Sequence, residues 1–149
     1  MDRENVYEKW MAQKMSNGEA FAGKKTIDGC RKLSDENFDV FYNYVESIIE
    51  DSAFKNRRST ILHFMVFINN EGIDLKSVSQ ECLDKYFAYC RDEKSESDNN
   101  IIKRVNFLKS FFSKYKNTME NEVDLDKYRI SKAEKKVRNP MKALTIKQL

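Results

Sequence analysis

Proline occurs once and glycine four times in 149 residues. That is too little turn chemistry for a sandwich or barrel built from many short strands. Histidine also occurs once, as His63, and the three cysteines (Cys30, Cys82, Cys90) form neither a CxxC pair nor a Cys/His cluster. A disulfide scaffold and a clustered metal site are poor readings of such a chain. The glycines never fall into GxGxxG or GxxxxGK, so there is no phosphate-cradling loop. No apolar run approaches the ~18 residues that span a bilayer, and the charged N-terminus lacks the apolar segment of a secretory signal. The expectation is a reduced, cytoplasmic protein without cofactor, metal or small-molecule substrate. A catalytic set is hard to assemble from what remains, so no enzymatic activity is expected of this chain by itself.

Hydrophobic residues make up 40% of the chain, enough for one modest core, and charged residues 34%. The net charge of +3 conceals an asymmetry. Acidic residues outnumber basic ones by 10 to 7 over residues 1–50 and by 9 to 7 over 51–100, whereas residues 101–149 hold 13 basic against 5 acidic. A polyanionic partner would be met in that last third, because each neutralised phosphate releases counterions.

Hydrophobic spacing predicts helices throughout, and no run alternates as a strand would. A first helix is expected over Asp2 to about Met15, stopping at Ser16-Asn17-Gly18 with Gly18 as a left-handed cap. Residues 17–32, with three of the four glycines, read as a loop or short helix, making 1–32 an appended arm. Ser34 is a candidate N-cap, followed by Asp35 and Glu36 in the first turn and by the stripe Phe38, Phe41, Val45, Ile48, Ile49. A second helix is predicted from about Phe54 to Ile68, packing through Ile61, Leu62, Phe64, Met65 and Ile68 and ending near Gly72. Ser79 caps the next, with Val78 and Leu83 spaced as a hydrophobic staple. Ser97 caps the last, in which Ile101, Val105, Leu108, Phe112 and Tyr115 keep a 3.6-residue period. An all-α bundle of four helices over 33–118 follows, with a basic linker over 119–149. Arg138-Asn139-Pro140 marks a boundary there, and Ala143–Leu149 reads as the start of a further helix.

Two clusters of basic residues are candidates for binding. Lys55, Arg57 and Arg58 occupy the first turns of the second helix. In the last helix Lys103, Asn106, Ser110 and Lys114 lie opposite the apolar stripe, with Arg104 and Lys109 on its flanks. Lys and Arg supply phosphate contacts, and Asn and Arg also read base edges in a major groove. An ordinary solvated helix face would hold the same residues without any ligand.

The pattern Ser97-x-x-Asn100-Ile101-x-Lys103-Arg104-Val105-x-x-Leu108-Lys109-x-Phe111-Phe112 resembles the last helix of the core-binding domain of tyrosine recombinases, the phage-integrase family. Ile61–Ile68 with the following Asn-Asn-Glu-Gly, then Val78-Ser79 and Leu83, is similar to the preceding helices. Asn139-Pro140 and Ala143-Leu144-Thr145-x-x-Gln148-Leu149 resemble the entry into that family's catalytic domain. The likeness covers roughly residues 50–149. It implies a four-helix SAM-like domain that forms half of a clamp on double-stranded DNA, with further protomers alongside and no membrane involved. Carried over by position, the DNA-facing residues are Lys55, Arg57, Arg58, Lys103, Arg104, Asn106 and Lys109. The family's catalytic residues lie in a domain that this sequence does not include, so none of the seven tyrosines is read as a nucleophile. Three departures keep other readings open: residues 33–51 are acidic, the arm is not basic, and position 100 is Asn where the family often has Thr. The alternatives are a non-catalytic prophage regulator of the same fold, or a helical protein-interaction module with Tyr7 and Trp10 as its exposed patch.

Overall fold

Three serines set the starts of three helices. Ser34 Oγ accepts from the Asn37 N–H at 3.2 Å, Ser79 Oγ from Cys82 N–H at 3.3 Å, and Ser97 Oγ from Asn100 N–H at 3.2 Å. Each satisfies one of the donors that a helix start leaves without a partner, and each is followed by acidic residues that suit the helix dipole. In this computed structural model, which describes residues 2–15 and 18–129, the helices are α1 (Arg3–Ala12), α2 (Lys24–Arg31), α3 (Asp35–Ser47), α4 (Phe54–Asn70), α5 (Gln80–Ala88) and α6 (Asp98–Lys114). Among the described residues the only β pairing is an isolated bridge between Lys14 and Ala20. The chain is all-α and divides into two compact units, Met1–Val78 and Ser79–Leu149.

In the first unit, side chains from α1, α2 and the turn between them lie in the core. Tyr7, Trp10, Phe21, Ile27 and Cys30 are all at most 3% exposed. Trp10 stacks on Tyr42 at 5.8 Å, meets Phe21, Phe38 and Phe41 within 6.3 Å, and donates its indole N–H to Glu46 at 3.1 Å. Burial of this aromatic cluster joins the segment to α3, because a Trp or Phe carries the largest apolar area available to a small core. α1 ends at Ala12, short of the predicted Met15, since the chain then doubles back. Phe21 N–H donates to Gln13 O at 2.8 Å and Met15 N–H to Glu19 O at 2.7 Å. Gly18 is left-handed (φ +87°) as predicted, but in this turn rather than as a helix cap. Residues 24–31, read as a loop or short helix, form α2, which approaches α4 so closely that a Cβ on Gly29 would lie 2.8 Å from Leu62 Cδ2.

α4 buries Ile61, Leu62, Phe64, Met65 and Ile68 as predicted, and also Phe54 and Arg58. Asn37, 1% exposed, organises the far end of the unit. Its amide donates to Asn69 Oδ1 and the Ile73 carbonyl and accepts from Leu75 N–H, so this buried polar group is fully used. α3 buries Phe38, Phe41 and Val45 with Tyr44, whereas Ile48 and Ile49 lie past its end and are half-buried.

The second unit begins at Ser79. α5 buries Cys82, Leu83, Tyr86 and Phe87, and passes into one π-helical turn, Tyr89–Glu93, that seats Cys90. Ser95 then takes a left-handed conformation (φ +51°) that redirects the chain into α6. α6 buries Ile101, Val105, Leu108, Phe111 and Phe112, while Tyr115 is half-buried at its C-cap. The basic linker expected from residue 119 is, up to Arg129, part of this unit. Leu125 and Tyr128 are buried, the Tyr128 ring stacks on Phe87 at 4.4 Å, and Gln80 pairs with both the N–H and the carbonyl of Asp124. The rest of the basic run, the Asn139-Pro140 boundary and the predicted helix start at Ala143–Leu149 lie outside the described residues.

Candidate nucleic-acid interface

The outer face of α6 is polar over its length. Lys103, Asn106, Ser110 and Lys114 are exposed, opposite the buried stripe. Among the described residues no carboxylate pairs with Lys103 or Lys114. The two are eleven residues apart, three turns along one side of the helix, so roughly 16 Å separates their backbones.

The flanking cations are engaged. Arg104 is mostly buried and grips Glu96, with Nε to Oε1 at 2.6 Å and Nη2 to Oε2 at 2.7 Å, while Nη1 donates to the Tyr86 hydroxyl at 3.1 Å. Burial is the largest single influence and opposes the charged form of Arg104, but the Glu96 bond and the charges of Tyr86, Cys90 and Glu96 together outweigh it, so the guanidinium holds its proton more tightly than usual. The donors of the Arg104 guanidinium are thus engaged within the unit, which sets it apart from the exposed cations of α6. Lys109 pairs with Asp126 at 3.0 Å, and Asn106 accepts from Arg129 at 2.9 Å.

The cluster on α4, in the other unit, divides three ways. Lys55 is exposed, with a loose 3.4 Å contact to Glu19. Arg57 lies 3.2 Å from Asp51 and is largely covered. Arg58 is 8% exposed, donates to the Phe21 carbonyl and lies over the Phe54 ring. Burial weakens its hold on its proton. Arg58 is therefore a core residue in this structure, unlike the exposed Lys55. The signal was present in the sequence: position 58 is i+4 from Phe54 and i−4 from Leu62, inside the apolar stripe.

Reactive groups are correspondingly quiet. Cys30, Cys82 and Cys90 are buried thiols that form no disulfide, and burial pushes Cys30 up to about 12. His63 is half-buried on α4. No group of metal-ligating side chains and no helix long and apolar enough to cross a membrane occurs among the described residues. Tyr7 and Trp10, on which a protein-docking patch would depend, are buried at 1% and 0%.

The family model for the phage integrase SAM-like domain matches residues 37–132, 96 of the 149. The chain belongs to the phage integrase SAM-like domain family. The match takes in all of α3 to α6 except the first two residues of α3, and extends through the Asp124–Arg129 segment. The matched range runs past residue 118, and α1 and α2 stand before it although they share the first unit's core. No curated protein and no solved structure matches the chain.

Proposed function

We propose that this SAM-like domain binds duplex DNA, as the core-binding part of a tyrosine recombinase. The observation that carries the reading is the outer face of α6, where Lys103 and Lys114 have no carboxylate partner among the described residues and Asn106 and Ser110 lie between them. Lysines whose backbones are about 16 Å apart on a helical rod suit contacts to the phosphates flanking a major groove ~12 Å wide, with polar side chains between them facing base edges. In the α4 cluster Lys55 is the exposed cation that supports the same reading. Strand cleavage in recombinases belongs to a separate catalytic domain, and no residue here is assigned to it.

The test is an anisotropy titration with labelled duplex DNA over a range of salt. Binding of roughly micromolar strength that falls steeply with salt is expected. The double variant Lys103→Ala/Lys114→Ala should lower the salt slope by about 1.8, some 0.9 for each phosphate that is no longer neutralised. Its helicity should not change, because both side chains are exposed. Unaltered affinity and slope in that variant would overturn the assignment of α6.

A further inference from the structure

The carboxylate of Asp126 lies between two cations on the flank of α6. Lys109 Nζ donates to both of its oxygens, at 3.1 and 3.0 Å, and Arg129 Nε donates to Oδ1 at 3.2 Å. Arg129 is held in place from its other edge, where Nη2 donates to Asn106 Oδ1 at 2.9 Å. The turn itself is fixed by the Asp126 N–H, which donates to Asp124 Oδ1 at 2.9 Å. All three charged side chains are between 38% and 53% exposed, so solvent and ligands reach them.

An ammonium and a guanidinium converging on one oxyanion recognise phosphate with the same donors that they offer a carboxylate. We propose that Lys109 and Arg129 form a binding site for a backbone phosphate of duplex DNA, which Asp126 occupies in the free protein and vacates on binding. This inference rests on the DNA-binding reading of α6, because Asn106 belongs to both the outer face and the buttress of Arg129. Exposed ion pairs are weak, so a DNA phosphate backed by the contacts of Lys103 and Lys114 can displace the carboxylate. Hydrogen bonds from Lys109 and then Arg129 hold the Asp126 carboxyl below its usual range, so the competing anion is present at any neutral pH. With its Oδ1 taken by Arg129, Asn106 keeps its two amide hydrogens as donors for an acceptor-rich edge.

Three variants of the full chain separate this site from a general charge effect in the same titration. Asp126→Asn is expected to bind about three- to tenfold more tightly than the unaltered chain, because a contact to a charged phosphate no longer has to displace an anion. Glu122→Gln removes the same charge from an exposed neighbouring position and is expected to gain less. In the background Lys109→Ala/Arg129→Ala the gain from Asp126→Asn should fall to that of Glu122→Gln, since the two cations are what the carboxylate blocks. Thermal melts followed by helicity confirm that each variant is folded. Equal gains from Asp126→Asn and Glu122→Gln, or a gain that survives loss of both cations, overturn the site while leaving the DNA reading intact. Absence of binding by every variant at low salt overturns both.

Discussion

Arg104 and Glu96 form a two-pronged pair, 2.6 and 2.7 Å long, that joins the first turns of α6 to the residue just before its N-cap. The third arm of the guanidinium reaches Tyr86 on α5. A cation adjacent in sequence to Lys103 thus has the opposite assignment: Lys103 is exposed, whereas Arg104 fastens the unit together.

Arg104→Ala is expected to destabilise the second unit by about 3 kcal/mol, because it leaves the Glu96 carboxylate buried and uncompensated. Lys103→Ala should leave the melting temperature within error. Denaturant unfolding of the two variants checks this. If Arg104→Ala melts like the unaltered chain, the pair is an ornament of the surface and the guanidinium is available to ligands after all.

The helices and their serine caps were legible because each signal is local. A cap oxygen, an acidic first turn and a 3.6-residue stripe all lie within a few residues of one another. The fate of a charged side chain is not local in the same sense. Arg104 is eight residues from Glu96, across the Ser97 cap, and no i,i+4 rule relates them. α2 was obscure for a related reason. Its N-cap Gly23 makes no side-chain cap bond, its first turn is basic, and Gly29 sits in its interior. Packing of Ile27, Cys30 and Gly29 settles its conformation over these weak propensities.

Arg58 offers a second check on buried arginines. Its removal as Arg58→Ala deprives the Phe21 carbonyl of a charged donor and the Phe54 ring of its cover, and should cost roughly 2 kcal/mol. Arg58→Met, which keeps the length of the side chain without its buried charge, should cost less. Neither change should alter the salt slope of DNA binding. A reduced slope in both variants would return Arg58 to the interface.

The N-terminal segment should prove indispensable to the first unit. Trp10→Ala removes a fully buried indole and its bond to Glu46, an expected loss of about 3–5 kcal/mol. A chain beginning at Leu33 should lose cooperative unfolding of the first unit altogether, since Tyr7, Trp10, Phe21 and Ile27 leave with the segment. Calorimetry on that chain decides the matter: a cooperative transition of the first unit would make residues 1–32 the appended arm that their composition suggests.

The segment ending at Arg129 should detach at both extremes of pH. Tyr128 donates its hydroxyl to Asp84 Oδ1 at 2.5 Å, and Lys127 donates to the same oxygen at 2.9 Å. These bonds, the tyrosine's first, hold the Asp84 carboxyl below its usual range. A depressed carboxyl contributes above its unfolded pKa of about 3.9 and loses that contribution as the pH falls through the folded value. Burial, and then the Asp84 carboxylate, push the Tyr128 phenol well above its usual range. A raised phenol contributes fully below about 10 and loses its contribution as the pH rises through the folded value. The contact should therefore hold steady between those limits and loosen beyond each, a change visible in the ring resonances of Phe87 and Tyr128, which stack at 4.4 Å. Asp84→Asn still accepts from the hydroxyl but carries no charge, so it should abolish the acid limb and lower the phenol's titration while leaving the stack in place. An Asp84→Asn chain whose Tyr128 titrates as before would show that burial alone raises the phenol.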